Sequence, residues 1–184
     1  YRFVVMNTNK QRRLADSKYH ERRSQCEEAL KILQDGGVKI SALCELSPEQ
    51  LENLKALIKD ELLVRRAKHC VYENQRVKDA VSALKAGNLE KLGKLLNESH
   101  ESLKNDYEVT GIELDTLAET AQKQDGCIGA RMTGAGFGGC GIALVHKDKV
   151  EQFVENVQTE YKKVVGYEAS FFDCESGDGV SHFN

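Results

Sequence analysis

The chain has 184 residues, enough for one domain with a sizeable core or for two small ones. Hydrophobic residues make up 40% and charged residues 30%, an ordinary globular balance, and the formal net charge is −3. That excludes a basic surface for nucleic acid and an acidic disordered tail, and no apolar run approaches the roughly 18 residues of a membrane span.

The opening YRFVVMNTN reads as a strand over residues 2–9 and not as a secretory leader. With no initiator Met, the chain is expected to be cut from a longer protein. From Ser17 to Leu33 the pattern turns helical with a highly charged face, and Asp35-Gly36-Gly37 stops it. Ser47-Pro48-Glu49-Gln50 is a strong helix start: Ser47 caps, Pro48 suits the first turn and Gln50 completes a capping box. Val64, Ala67, Val71, Val81 and Leu84 predict a long helix closing at Gly87. Asn88 caps the next helix, with Leu89, Leu92, Leu95, Leu96 and Leu103 on its buried side. Gly111 opens another helix, carrying Ile112, Leu114, Leu117, Ala118 and Ala121.

The character then changes. Cys127 to Thr133 alternates as a strand, with Ile128, Ala130 and Met132 on one face. A glycine-rich turn leads into a second strand, Cys140 to Val145. A helix framed by Asp148 and Glu151 ends at Gly166, a third strand covers Glu168 to Cys174, and SGDGVSHFN is a loop or tail. This order predicts an α+β fold in which helices pack on one face of a small antiparallel sheet. The six cysteines, at positions 26, 44, 70, 127, 140 and 174, show no CxxC spacing. They read as reduced thiols of a cytosolic protein and not as a metal site.

Three segments carry polar chemistry. In Gly134-Ala135-Gly136-Phe137-Gly138-Gly139, four glycines in six residues uncover the backbone. Successive N–H groups there can form an anion-binding concavity, or the loop can let another backbone approach closely. A plain hairpin connection is the other reading. No Lys follows the last glycine and a strand follows the loop, so it is neither a Walker-type P-loop nor a dinucleotide fingerprint. In Asn7 to Arg23, Asn7, Asn9 and Tyr19 suit a polyol, whereas Glu21, Arg22 and Arg23 read as a solvated helix start. In Glu98 to Tyr107, His100 is a general-base candidate with no evident partner and reads more readily as a packed or capping residue. Asp106 and Tyr107 shape an inter-helix loop. No Ser–His–Asp set or paired-carboxylate site is legible from spacing.

GARMTGAGFGGCGIALV (Gly129–Val145) resembles the third signature motif of the galactokinases, within the GHMP family of small-molecule kinases. NTNKQRRLADSKYHERRSQCEEAL, RAKHCVYENQRV (Arg66–Val77) and ESHESLKNDYEVTGIELDTL (Glu98–Leu117) match the same family in order and spacing. Ala135 stands where many relatives have a third consecutive glycine. The resemblance implies transfer of phosphate from ATP to galactose, giving galactose 1-phosphate and ADP with magnesium, in the cytoplasm. A paralogue acting on N-acetylgalactosamine, or a non-catalytic sugar sensor, is the alternative. It also implies a GHMP C-terminal domain with a ferredoxin-like antiparallel sheet. Within it, residues 1–20, a strand and the start of a helix, would lie at the inter-domain cleft, 21–125 would be mainly helical, and 126–184 would hold the glycine loop and sheet. The phosphate loop, magnesium ligands and catalytic aspartate would belong to an N-terminal domain absent from this chain. No catalytic or metal residue is therefore carried over, and the isolated chain is expected to be inactive. The expected partners are galactose, ATP and that N-terminal domain, with neither nucleic acid nor membrane. Tyr19 falls where the family places a tyrosine on the sugar, and Gly134, Ala135, Gly136, Phe137, Gly138 and Gly139 form a loop that packs beside the phosphate loop.

Overall fold

The structure, a computed structural model, describes residues 1–11, 15–175, 177 and 179. Most of the tail SGDGVSHFN lies outside the described residues. The elements run β1 (Arg2–Asn7), α1 (Ala15–Asp35), α2 (Pro48–Leu54), α3 (Glu61–Lys85), α4 (Leu89–Asn105), α5 (Ile112–Gln122), β2 (Cys127–Thr133), β3 (Cys140–Val145), α6 (Val150–Val165) and β4 (Ser170–Cys174). The local chemistry acts where the sequence places it. Ser47 and Gln50 close a reciprocal capping box on α2, and the Asn88 side chain accepts from Lys91 N–H at the start of α4. β1 ends two residues earlier than its apolar run suggests, because Thr8 leaves the ladder to bind the glycine loop. No described helix is long and apolar enough to cross a membrane.

The strands form one antiparallel sheet in the order β2-β3-β1-β4. This is the ferredoxin-like order, with the first crossover enlarged to hold five helices. β1 therefore sits in the middle of the sheet. The strand expected near the N-terminus joins the strands of residues 126–184 in that one sheet: β4 pairs with β1 and touches neither β2 nor β3 in the ladder. Val4 and Met6 of β1 are fully buried against α5 and α6 with Leu117, Ala130, Phe153, Val157 and Tyr161, which explains why the strand is drawn inward.

Helices are not confined to one face. α1, α2 and α3 build a second core of their own from Ala29, Leu33, Leu43, Leu51, Leu63, Ala67 and Val71. α4 lies along the outer edge of β2. Ala130 N–H donates to Asn97 Oδ1 (2.9 Å), Met132 N–H donates to His100 Nδ1 (3.2 Å), and Gln122 donates to Ala130 O (2.8 Å). Side chains thus satisfy an edge that would otherwise offer itself to another strand. Two glycines permit this approach: a Cβ on Gly93 would meet Ile128 O at 2.1 Å, and one on Gly129 would meet Gly93 O at 2.4 Å. A bulge between Cys127 and Gly129 breaks the expected alternation, so Ile128 packs with Leu92 and Leu144 rather than with Ala130.

Candidate functional site

The glycine loop joins β2 to β3 and is held at several points. Phe137 N–H donates to Val109 O (2.7 Å). Gly139 N–H donates to Thr8 Oγ1 (3.1 Å) while Thr8 N–H donates to Gly139 O (2.8 Å). Thr8 is fully buried, and its own carbonyl accepts from the Tyr161 hydroxyl (2.7 Å). The N–H groups of Ala135, Gly136 and Gly138 have no partner among the described residues. Gly136 has φ +83°, and a Cβ there would lie 2.2 Å from Val109 O. Close backbone approach, one of the two functional readings of the loop, is therefore what the structure places at Gly136.

The start of α1 lies against the loop. Lys18 Nζ sits 5.5 Å, and the Arg22 guanidinium carbon 6.0 Å, from the centre of the Phe137 ring. Tyr19 lies between them in sequence, half exposed, with its ring edge-on to His20. Tyr19 and the loop residues, far apart in sequence, are thus brought to one region of the surface. Lys10 adds another charge: its stem lies where a Cβ on Gly138 would come within 2.9 Å, and its amine pairs with Glu113 at 2.9 Å.

Several residues take other roles than the sequence reading gave them. Asn9 is not free for a polyol: its amide donates to Glu168 O (3.0 Å) and Ser170 Oγ (2.9 Å), tying the end of β1 to the start of β4. Asn7 Oδ1 accepts from Asn9 N–H (3.1 Å). Arg22, assigned to a solvated helix face, instead donates to Tyr107 O (2.8 Å) and Glu108 O (3.2 Å). Thr8, Lys10 and Val109 were missed. Thr8 sits inside the NTN run, where a β-branched residue between two amides is a strand-end signal, whereas Val109 acts through its carbonyl and leaves no side-chain signature.

His100 is a packed residue. It is 1% exposed and accepts the Met132 N–H on Nδ1, so its proton sits on Nε2, 3.4 Å from Asp115 Oδ1. His100, Asp115 and Glu119 come within 4.8 Å of one another, the spacing of a metal site. The tautomer rules out that use, because the nitrogen facing the carboxylates carries a proton, and Glu119 is bound to Lys104. Magnesium also prefers an all-oxygen shell. The cluster does not fit magnesium.

The family model for the C terminal of GHMP kinases matches residues 80–163. The galactokinase of Clostridium perfringens strain SM101 is 56% identical over 176 residues, and that of Lactococcus lactis strain IL1403 is 58% identical over 179. These alignments cover 96% and 97% of the chain but 45% of each relative, so the chain spans about half the length of the proteins it matches. The crystal structure of Lactococcus lactis galactokinase complexed with galactose superposes with a TM-score of 0.94 over 97% of the chain and 46% of that protein, at 58% identity. The mevalonate kinase of L. major, at 19% identity and a TM-score of 0.57, shares the fold. The chain belongs to the GHMP kinase family, in which it corresponds to the C-terminal part of the galactokinases.

Proposed function

We propose that this chain is the C-terminal part of an enzyme that transfers the γ-phosphoryl group of ATP to galactose, giving galactose 1-phosphate and ADP. The observation that carries the reading is the match to galactokinases across nearly the whole chain, at 53–58% identity in the relatives compared. The geometry agrees with it. Phosphoryl transfer asks a protein mainly for positioning and electrostatics. Here a glycine loop with unpartnered N–H groups is fixed against Val109 and Thr8, with Lys10, Lys18 and Arg22 around it. In this reading the loop supports the nucleotide-phosphate region of the preceding half, and Tyr19 gives its hydroxyl to a sugar hydroxyl. Any magnesium would be held outside this chain.

The preceding half also has a place to sit. Val5, Ile142 and Phe172 lie in one row across the sheet, on the face opposite Val4 and Met6. Phe172 and the neighbouring Phe3 and Tyr1 are exposed. The relatives are about twice as long as this chain, so we assign this apolar face to the N-terminal domain.

The test is Tyr19→Phe in the full-length enzyme. The ring stays and the hydroxyl goes, so a lost bond of about 1–3 kcal/mol raises the galactose KM roughly 5- to 150-fold and leaves the ATP KM nearly unchanged. Equal changes in both constants, or none, remove Tyr19 from the sugar site.

A further inference from the structure

α1 and α3 cross where each carries a cysteine. The Cys26 and Cys70 sulfurs are 3.7 Å apart, and the Tyr107 hydroxyl lies 3.9 Å from Cys26 Sγ. Both thiols are half-buried and line an open groove of about 510 Å³, with Leu30, Leu43, Cys44 and His69 among its other walls. The groove gives small molecules a path to the sulfurs, and the glycine loop plays no part in it. Nothing in the proposed kinase reaction uses it.

We propose that Cys26 and Cys70 form a peroxide-modifiable dithiol, with Cys26 as the attacking thiolate and Cys70 as the thiol that closes a disulfide between α1 and α3. In the first step the Cys26 sulfur attacks a peroxide oxygen. An S–O bond forms, the O–O bond breaks, and the departing hydroxide takes a proton to become water. In the second step the Cys70 sulfur attacks the Cys26 sulfenic acid, an S–S bond forms, and a second water leaves. Two thiols and one hydrogen peroxide give one disulfide and two waters, so both sulfurs are oxidised and the peroxide is reduced.

The surroundings favour this division of roles. The hydrogen bond from Cys70, helped by the Tyr107 hydroxyl and the buried Arg66 guanidinium, lowers Cys26 to about 7 against the opposing effect of burial. Cys70, bonded to Cys26 and itself buried, is pushed up and keeps its proton. A thiol titrating near ambient pH is the better nucleophile of the pair. Cys127, by contrast, is pushed up to about 11 by burial. The sulfurs must close from 3.7 Å to roughly 2.05 Å for the bond to form. Tyr19 precedes Cys26 by about two turns of α1, so the cross-link also fixes the helix that carries the sugar contact. That second consequence rests on the proposed function.

The experiment uses the reduced full-length protein, hydrogen peroxide at near-stoichiometric amounts, alkylation of the remaining thiols, and peptide mass spectrometry. The expected product is a Cys26–Cys70 cross-linked peptide that disappears on dithiothreitol treatment. Cys70→Ser should leave Cys26 as a sulfenic acid that dimedone labels, and Cys26→Ser should abolish both products. Oxidation at Cys44 or Cys174 with Cys26 still reduced overturns the assignment. So does Cys26 over-oxidation that proceeds as fast in the parent protein as in Cys70→Ser. The cross-linked protein should show a several-fold change in galactose KM, reversed by dithiothreitol; an unchanged KM overturns the coupling to Tyr19. The mass-spectrometric result stands apart from kinase activity, so its failure is distinguishable from failure of the proposed reaction.

Discussion

Gly136→Ala, compared with Gly134→Ala, isolates what the glycine loop does. Both positions have nearly the same left-handed backbone, φ +83° and +82°. Alanine in that region costs about 1–2 kcal/mol whatever surrounds it. A Cβ on Gly134 meets nothing within 4 Å, so that variant reports the backbone cost alone. A Cβ on Gly136 would stand 2.2 Å from Val109 O and 2.9 Å from Val109 Cβ, so the loop must move away. Relieving such a contact costs about 1–3 kcal/mol. The movement also breaks the bond from Phe137 N–H to Val109 O, worth about 0.5–1.5 kcal/mol. Gly136→Ala should therefore lose roughly 3–6 kcal/mol of local stability, against about 1–2 for Gly134→Ala. Hydrogen exchange at the Phe137 amide reads the local opening directly, and urea unfolding reads the global change. At temperatures where both variants are folded, kcat/KM should fall much further for Gly136→Ala. Equal losses at the two positions would refute the idea that the loop's position depends on contact with Val109.

Two further perturbations test the surroundings of the site. Burial holds the His69 imidazole down to about 4 from an ordinary 6.5, and its Nδ1 faces Ser102 Oγ at 3.0 Å. Below pH 6.5 the unfolded chain takes up a proton that the native state refuses. This contribution to stability is therefore complete above pH 6.5 and is lost as pH falls towards 4, by about 3 kcal/mol at most. His69→Gln should flatten the urea midpoint between pH 4 and 6.5 relative to the parent; parallel curves would contradict this. Arg66→Met removes bonds to Gln25, Asp106 O and Glu108 from a residue that is 1% exposed, and should cost about 2–4 kcal/mol by chemical denaturation. Arg66→Lys should recover little, because an ammonium lacks the planar fork that reaches all three acceptors; full recovery would show that only the charge matters.

Much of the fold was legible because its signals are local. Ser47, Asn88 and Gly166 act within a few residues of themselves, and β2 and β3 begin and end where alternation and glycines mark them. The place of β1 was not legible from local patterns and came only with the ferredoxin-like sheet that the resemblance implies, since a strand's neighbours are chosen by pairing across more than 130 residues, as between Asn7 and Cys140. The departure of Ile128 from its expected face was hidden for a related reason: it follows from α4 meeting the β2 edge through Gly93 and Gly129, a contact between segments with no shared pattern. At the candidate site, motifs alone could nominate Tyr19 and the loop for the roles proposed for them. Asn9 was misjudged because a polar side chain at a strand end looks the same whether it faces a ligand or β4.

The turn after α4 shows how the loop acquires a fixed position. Glu108 has φ +56°, uncommon for a residue with a side chain, and such a conformation costs about 1–3 kcal/mol unless its surroundings impose it. Three arginines impose it here. Arg22 of α1 binds the carbonyls of Tyr107 and Glu108; Arg65 of α3 binds Asn105 O and the Glu108 carboxylate; Arg66 binds Asp106 O and the same carboxylate at 2.6 Å. Arg66 is among the largest fully buried side chains of the described residues, so its charge is tolerable only because its donors find these acceptors. The next residue, Val109, then presents the carbonyl that receives Phe137 N–H and that Gly136 must clear. Two helices from the first half of the chain thus locate a loop between two strands in the last third, through one strained turn. A hairpin connection with no other duty would need none of this, since β2 and β3 already pair through Thr133 and Cys140 at its base. The extra constraint has a physical use only if the loop must meet something at a defined height above the sheet, as the proposed contact with the nucleotide-phosphate region requires.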